Sequence, residues 1–328
     1  MKRPLPSPET MIRFLHSLPI LFVFFLVPAR ALPEPPAKLS LPPNTSVILD
    51  HIYSGRRDLA LPEILVLQRQ DPGSPLGYLL EAEVEWWKIW CASAEFKYGM
   101  TMARHREKFP ADQRYFELTA KADSLAEASL REHNSAEMHL YAAMAESLAA
   151  RLYGLRGEYR ATARAGVRGR ENFLSALALD PSLADAYTGL GLYNYYVDTL
   201  SGLAKVLRFF MGIPGGSKEE GIRQLQRAIH EGQLSPALAR FYLAINLENY
   251  DQRYEQALQV IGPLVDKYPQ NPLFQLVRGD LYAKLGNKQL AEACYRAAGA
   301  AASQVPEAQC REKIGQLVRQ SLGALNHK

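Results

Sequence analysis

Apolar and small side chains recur at a fixed long interval in the last third of the chain. Residues 238–271 align with residues 272–304 at an offset of 34 residues. Ala257 falls on Ala291 in this alignment, and Pro269 closes the first segment. Within each segment the apolar positions indicate two helices joined by a short turn. The pattern therefore predicts helix pairs that repeat along the chain.

The second of these segments indicates what each recurring position does. Gly279 and Ala291 are small where two antiparallel helices would touch, and Tyr282 and Tyr295 would fill the space between them. Gly286 stands where the chain turns from one helix to the next. This spacing resembles the tetratricopeptide repeat. The resemblance implies a right-handed α-solenoid, in which helix pairs stack and curve around a concave surface.

The pattern extends backwards along the chain and is weaker there. Tyr187 and Gly191 match the start of another first helix, and the whole resemblance covers residues 41 to 305. Three units are longer than the repeat, with additional sequence in 96–133, 136–179 and 191–221. We expect an all-α fold of about six helix pairs, three of them enlarged, with a C-terminal capping helix over 306–322. We expect these elements to form one domain over 45–325.

The third enlarged unit contains its own helix signals. An apolar stripe that includes Val206 and Phe210 predicts a short amphipathic helix, and Ser217 with Glu220 forms a capping box for the next helix. Residues 187–231 are weakly similar to the eukaryotic repeat family that includes an inclusion-body-clearance protein. No function is transferred from that family.

The first residues have the features of an export signal. Positive charges precede a short apolar run, and Ala29 and Ala31 are the small residues that a signal peptidase reads. We expect a signal peptide over 1–31, cleaved after Ala31, and a linker over 32–44, which would make the protein periplasmic or secreted. The alternatives are an uncleaved N-terminal membrane anchor and a true start at Met11.

Net charge changes once this leader is set aside. The whole chain carries 38 Lys and Arg against 34 Asp and Glu, a net charge of +4. The leader holds four of these cations and one of these acids, which leaves 34 minus 33, or +1. Overall charge therefore gives no reason to expect a nucleic-acid partner.

Cysteine and histidine patterns predict neither a metal site nor a cofactor. Cys91, Cys294 and Cys310 are not closely spaced, and no two histidines have the i, i+4 spacing of a helical metal site. Cys294 and Cys310 fall on helices that we expect to be neighbours. A disulfide between them and two buried, unpaired thiols are both open alternatives.

The concave surface is the predicted binding site, on the positions that the repeat resemblance assigns to it. The candidate groove residues are Tyr195, Tyr196, Tyr242, Asn246, Asn249, Tyr250 and Asp280. Asn side chains can pair with peptide groups in both directions, and Tyr offers a flat surface with a polar tip. A carboxylate clamp of the kind known in the repeat family is in doubt, because Tyr242 replaces its basic residue. Ordinary solvated groove lining is the alternative.

A second candidate surface is basic. Arg156, Arg160, Arg164 and Arg168 recur every four residues and would form a stripe along a helix. This stripe could meet an anionic membrane surface, a polysaccharide or an acidic partner. The alternative is that acids on the adjacent helix, such as Asp123, pair with these arginines.

The sequence therefore favours a non-enzymatic scaffold of the cell envelope that binds an unidentified protein or peptide in its concave groove. One alternative is an envelope- or membrane-associated structural protein that uses the arginine stripe. Another is an enzyme built on a repeat scaffold, for which we find no catalytic motif.

Overall fold

The computed structural model describes residues 39–210 and 212–326, and the expected signal peptide lies outside these residues. The described residues form fourteen helices and no strand. The helices are α1 (Thr45–Tyr53), α2 (Arg57–Gln70), α3 (Leu76–Ser93), α4 (Pro110–Glu132), α5 (Ala136–Arg156), α6 (Tyr159–Leu179), α7 (Ala186–Thr199), α8 (Gly202–Phe210), α9 (Lys218–Glu231), α10 (Pro236–Asn249), α11 (Tyr254–Lys267), α12 (Pro272–Lys284), α13 (Lys288–Ala302) and α14 (Ala308–Asn326). None of these helices is long and apolar enough to cross a membrane.

Helices that follow one another in the chain pack together, which confirms the all-α solenoid. The pairs are α1 with α2, α3 with α4, α5 with α6, α7 with α9, α10 with α11, and α12 with α13. α8 is inserted into the fourth pair, and α14 packs on α13 as the expected cap. Three middle helices, α4, α5 and α6, are long, with 23, 21 and 21 residues.

The regular C-terminal pairs owe their close packing to the small residues that the repeat pattern identified. A Cβ atom added at Gly279 would lie 2.6 Å from the ring of Tyr295, so only glycine fits beside that ring. Gly286 has a φ of +79°, the left-handed conformation that glycine adopts without strain, and it makes the turn between α12 and α13. Both predictions are confirmed.

The two ends of the helical stack are in contact with each other. In a simple solenoid each repeat would contact only its neighbours. Arg57 in α2 pairs with Glu307, next to α14. Tyr268 donates a hydrogen bond to Asp50 in α1 at 2.6 Å. α14 also packs against α3. The concave side is therefore closed by the chain itself rather than open along its length.

α3 lies at the centre of this closed stack. Trp86 and Trp90 stack with ring centroids 4.9 Å apart, and Trp87 meets the rings of Phe241 and Phe274. All three tryptophans are buried. Burial of such large aromatic surfaces stabilises the closure of the later helix pairs around α3.

The disulfide differs from the one considered from the sequence. Cys310 in α14 is bonded to Cys91 in α3, with Cα atoms 5.3 Å apart, so the Cys294–Cys310 alternative is wrong. Cys294 is buried and has no disulfide partner among the described residues. Sequence spacing could not indicate the true pair, because only the closure of the stack brings α14 to α3.

Candidate functional site

An apolar cavity of about 600 Å³ lies on the concave side of the middle helix pairs. Its wall comes from α1, α3, α5, α6, α7, α8 and α10, together with residues of the connecting loops. Aliphatic side chains dominate the wall: Leu49, Leu76, Leu79, Leu80, Met100, Met144, Leu148, Leu192, Val197, Leu200, Leu234 and Leu238. A cavity of this size and character is typical of a ligand-binding site.

A buried ion pair stands in this wall. Arg151 in α5 donates to Glu83 in α3 at 3.0 Å, and its guanidinium lies over the rings of Trp86 and Tyr242. Burial alone would lower the pKa of Arg151, but Glu83 together with Tyr242, Tyr115 and Tyr53 outweighs burial, so the pKa is raised. Glu83 also accepts from Trp87 Nε1, so both of its oxygens have partners, and the pair holds α5 against α3.

Asp185, the second acid of the wall, also has its hydrogen-bond partners within the chain. Asp185 accepts hydrogen bonds from the backbone N–H groups of Gln233, Leu234 and Ser235 at 2.8 to 2.9 Å. Ser235 also shares a hydrogen bond with Thr188 at 2.7 Å. These contacts hold the start of α10 against α7, so Asp185 acts here as a structural residue.

Three arginines of the wall have no carboxylate partner among the described residues. Arg104 lies over the ring of Tyr159, and Arg170 lies over the ring of Tyr193 at 5.5 Å. Arg208 donates from Nη1 to the carbonyl of Ile213 at 2.8 Å. Its Nε atom is shielded from solvent and has no acceptor within the described part of the chain. The wall thus combines four arginines with two acids, a net charge of +2.

Four of the predicted groove residues meet on the concave side, between α7 and α10. Tyr196 donates to Asn246 Oδ1 at 3.0 Å, and Tyr195 donates to the Asn246 carbonyl at 3.1 Å and to Asp251 at 2.8 Å. Tyr242 accepts from Trp86 Nε1 at 3.1 Å. Tyr196 and Tyr242 border the cavity, whereas Tyr195 and Asn246 are buried behind it.

The other three predicted groove residues hold a segment of the same chain. Asn249 donates to the carbonyl of Lys97 at 3.1 Å, and Asp280 pairs with Lys97 Nζ at 2.6 Å. Tyr250 shares a hydrogen bond of 2.5 Å with Thr101. Residues 97–101, which we call the inner strap, therefore lie where a peptide was expected along the C-terminal repeats.

Burial makes several of these tyrosines poor acids. It raises the pKa of Tyr242 to about 12, although Arg151 acts in the opposite direction. It raises the pKa of Tyr196 well above its ordinary value, with a further contribution from Tyr250. Both phenols therefore stay neutral at physiological pH and serve as hydrogen-bonding and packing groups.

The arginine stripe is not continuous. Arg156 is the last residue of α5, and a turn at Gly157 separates it from α6. Arg156 is buried in a double hydrogen bond with Asp112, with both distances 2.6 Å, so its inclusion in an exposed stripe was wrong. Arg168 is exposed and pairs with Glu146 at 2.8 Å.

Two arginines of the stripe pair with acids on adjacent helices, as the alternative interpretation expected, but Asp123 is not one of these acids. Arg156 and Arg168 use Asp112 and Glu146, whereas Asp123 makes no ion pair with a described residue. Burial raises the pKa of Asp123 to about 6, and Glu146 and Glu127 add to the effect. Arg160 and Arg164 remain exposed on α6, without ion pairs to described residues.

No group of three His, Cys, Asp or Glu side chains within the described ranges is placed to hold a metal ion. Sequence patterns do not indicate that Arg104, Arg208 and the Glu83–Arg151 pair belong to one site. These residues come from four separate segments, so no spacing pattern connects them.

Comparisons with known proteins add little. No family model and no curated protein matches the chain. The crystal structure of yeast Tom70 is similar at 10% sequence identity, over 86% of this chain and 82% of that chain, with a TM-score of 0.29. Because this score is too low to support an argument, the helical solenoid rests on the packing of this chain's own helices.

Proposed function

We propose that this chain is a non-enzymatic binding scaffold of the cell envelope that holds a partner protein or peptide on the concave side of its middle helix pairs. One observation carries the proposal: large apolar side chains are exposed on the segments that border the cavity. Tyr159 is 55% exposed, Val206 is 52% exposed and Met102 is 47% exposed. We call these three residues the apolar rim.

Exposed apolar groups on segments beside a cavity are typical of an interaction surface. The rim combines an aromatic ring, a methionine and a branched aliphatic side chain, which suit a partner's apolar side chains. The C-terminal repeats offer no comparable open groove, since Asn249, Tyr250 and Asp280 bind the inner strap. A partner is therefore expected at the rim rather than along the whole concave side.

Two features support the envelope location. The first residues have the charge, apolar run and small residues of a cleavable signal peptide. The Cys91–Cys310 disulfide is of the kind that persists in oxidising compartments. N-terminal sequencing of the mature protein from the producing cell should begin at Leu32. A chain that retains its leader in the cytoplasm would contradict this part of the proposal.

Site-specific photo-crosslinking tests the rim directly. A photoreactive phenylalanine analogue at Tyr159 should capture one discrete partner in cells. The matched control is the same analogue at Leu290, which is 42% exposed on α13 and far from the cavity wall in sequence. Identical crosslinked species from both positions, or no crosslink at Tyr159, Val206 and Met102 alike, would remove the proposed interface.

A further inference from the structure

We propose that the cavity binds one long-chain carboxylate anion, a fatty-acid type of ligand, with its chain among the leucines and its carboxylate at Arg170 and Arg208. This goes beyond the protein partner proposed above, because the ligand is a small amphiphile inside the wall rather than a chain at the rim. The inference rests on the size of the cavity, the state of its polar groups and its unbalanced charge.

The size of the cavity, about 600 Å³, suits a small ligand. A single extended apolar chain fits the same volume, which lies within the range of small-ligand pockets.

The polar groups of the wall argue against an extended peptide. A peptide backbone inside an apolar cavity needs a partner for each N–H and C=O group. Most of the wall's polar groups already have partners within the chain. Thr188 pairs with Ser235, Thr162 donates to the Glu158 carbonyl, and Tyr193 donates to the Pro214 carbonyl. An acyl chain makes no such demand.

The positive charge at one corner of the cavity favours an anionic ligand. Arg170 lies over the Tyr193 ring, and Tyr193 donates to the Pro214 carbonyl, next to the Ile213 carbonyl that accepts from Arg208. Burial raises the pKa of Tyr193, and both arginines act against that effect. Neither guanidinium pairs with a carboxylate in the described residues, and Arg208 Nε has no acceptor there. Positive charge that is partly removed from water and left unpaired is costly. A single carboxylate would accept from both guanidinium groups.

The test uses the full chain, freed of bound lipid, and a fluorescent fatty acid displaced by oleate. We expect one oleate per chain in the cavity. Oleyl alcohol, which has the same chain without the charge, should bind at least about ten-fold more weakly, because charge-assisted hydrogen bonds are lost. Equal affinity for oleate and oleyl alcohol would contradict the role of the arginines.

Two pairs of variants distinguish a loss of the cavity site from a general effect of lost charge or added bulk. The double variant Arg170→Gln, Arg208→Gln should bind oleate about ten-fold more weakly or worse. The double variant Arg160→Gln, Arg164→Gln removes the same charge from exposed sites and should bind as the native chain does. Gly166 borders the cavity, and an added Cβ would meet no atom within 4 Å, so Gly166→Phe has room to fill the cavity and block oleate. Gly323→Phe, in equally open space on α14, is its control.

Several results would overturn the inference. They are unchanged oleate binding in a folded Gly166→Phe chain, equal losses in the two arginine double variants, and displacement of the probe by an apolar peptide but not by oleate. The crosslinking at Tyr159 is read independently. Loss of the fatty-acid site would leave the partner interface standing, and the reverse also holds.

Discussion

The concave side of this solenoid is filled in one region and hollow in another. Along α10 to α13 it is occupied by the chain's own α3 and by the inner strap, which Asn249, Tyr250 and Asp280 bind. Along α5 to α8 the longer helices leave a cavity of about 600 Å³. The two regions differ in the length of their helices and in what covers their inner faces.

The comparison indicates that regular repeats provide the frame and enlarged units provide the site. In the regular region Gly279 is pressed against Tyr295, and no room is left between the helices. In the enlarged region Gly166 faces open space within the cavity wall. Function is therefore expected where the repeat pattern is weakest.

The largest expected effect on the free energy of unfolding comes from loss of the Cys91–Cys310 disulfide in the filled region. Cys310→Ala breaks the link between α14 and α3, which closes a loop over a sequence separation of 219 residues. We expect a loss of about 3–5 kcal/mol in the free energy of unfolding, since a long cross-linked loop restricts the unfolded chain. Urea unfolding without reductant measures it. Cys294→Ala, at the buried unpaired thiol, is the control and should cost much less.

The inner strap should be sensitive to one added methyl group. A Cβ built on Gly99 would overlap the ring of Tyr250, so Gly99→Ala must displace the strap. Overpacking of this kind costs about 1–3 kcal/mol. Hydrogen exchange should show faster exchange of the Thr101 amide, which is bonded to Tyr250. Gly73→Ala, in an exposed turn, should leave both stability and exchange unchanged.

The filled region also has a pH signature. Burial raises the pKa of Glu248 to about 7 from 4.5, although Lys284 acts against it. The folded state therefore keeps a proton that the unfolded state releases, so this stabilisation is complete below pH 4.5 and is lost as the pH rises through 7. Glu248→Gln should reduce the loss of stability between pH 5 and 8 by about 1–2 kcal/mol.

Thermal or urea unfolding across this pH range is the measurement for Glu248. Glu255→Gln removes the same charge from an exposed position on α11 and is the control. If both variants keep the native slope of stability against pH, Glu248 is not the group that titrates.

The smallest expected effect is the change in stability when one methyl group is added to a glycine in each region. Gly166→Ala should stabilise the protein by about 0.5–1 kcal/mol, because alanine is the better helix former and the added methyl group has room. Gly279→Ala should destabilise it, because the same methyl group meets Tyr295 at 2.6 Å. If both substitutions change the free energy of unfolding in the same direction, the proposed difference between the two regions is wrong.

The sequence predicts the frame of this protein well. Ala257 and Ala291, at equivalent repeat positions, are both buried between helices, and Gly286 makes the turn that its position indicates. These features follow from local spacing. The N-cap at Ser217 is likewise formed, with its side chain accepting from the Glu220 N–H group. The Glu220 carboxylate, the other half of the predicted capping box, pairs with Arg223.

The site is less accessible to sequence reasoning because it depends on how the stack closes. Repeat positions place Tyr196 and Tyr242 on the concave side but do not indicate that α3 and residues 97–101 cover the neighbouring positions. The ion pair between Glu83 and Arg151 and the bond between Cys91 and Cys310 join segments far apart in the chain. Such contacts leave no periodic signal.

The most direct test of the hollow region is to pressurise crystals of the native chain with xenon, which enters empty apolar cavities. We expect xenon density among Leu79, Leu148 and Leu238, in the wall of the cavity, and none between α12 and α13. Crystals in which side chains fill this space, so that no xenon enters it, would contradict the account.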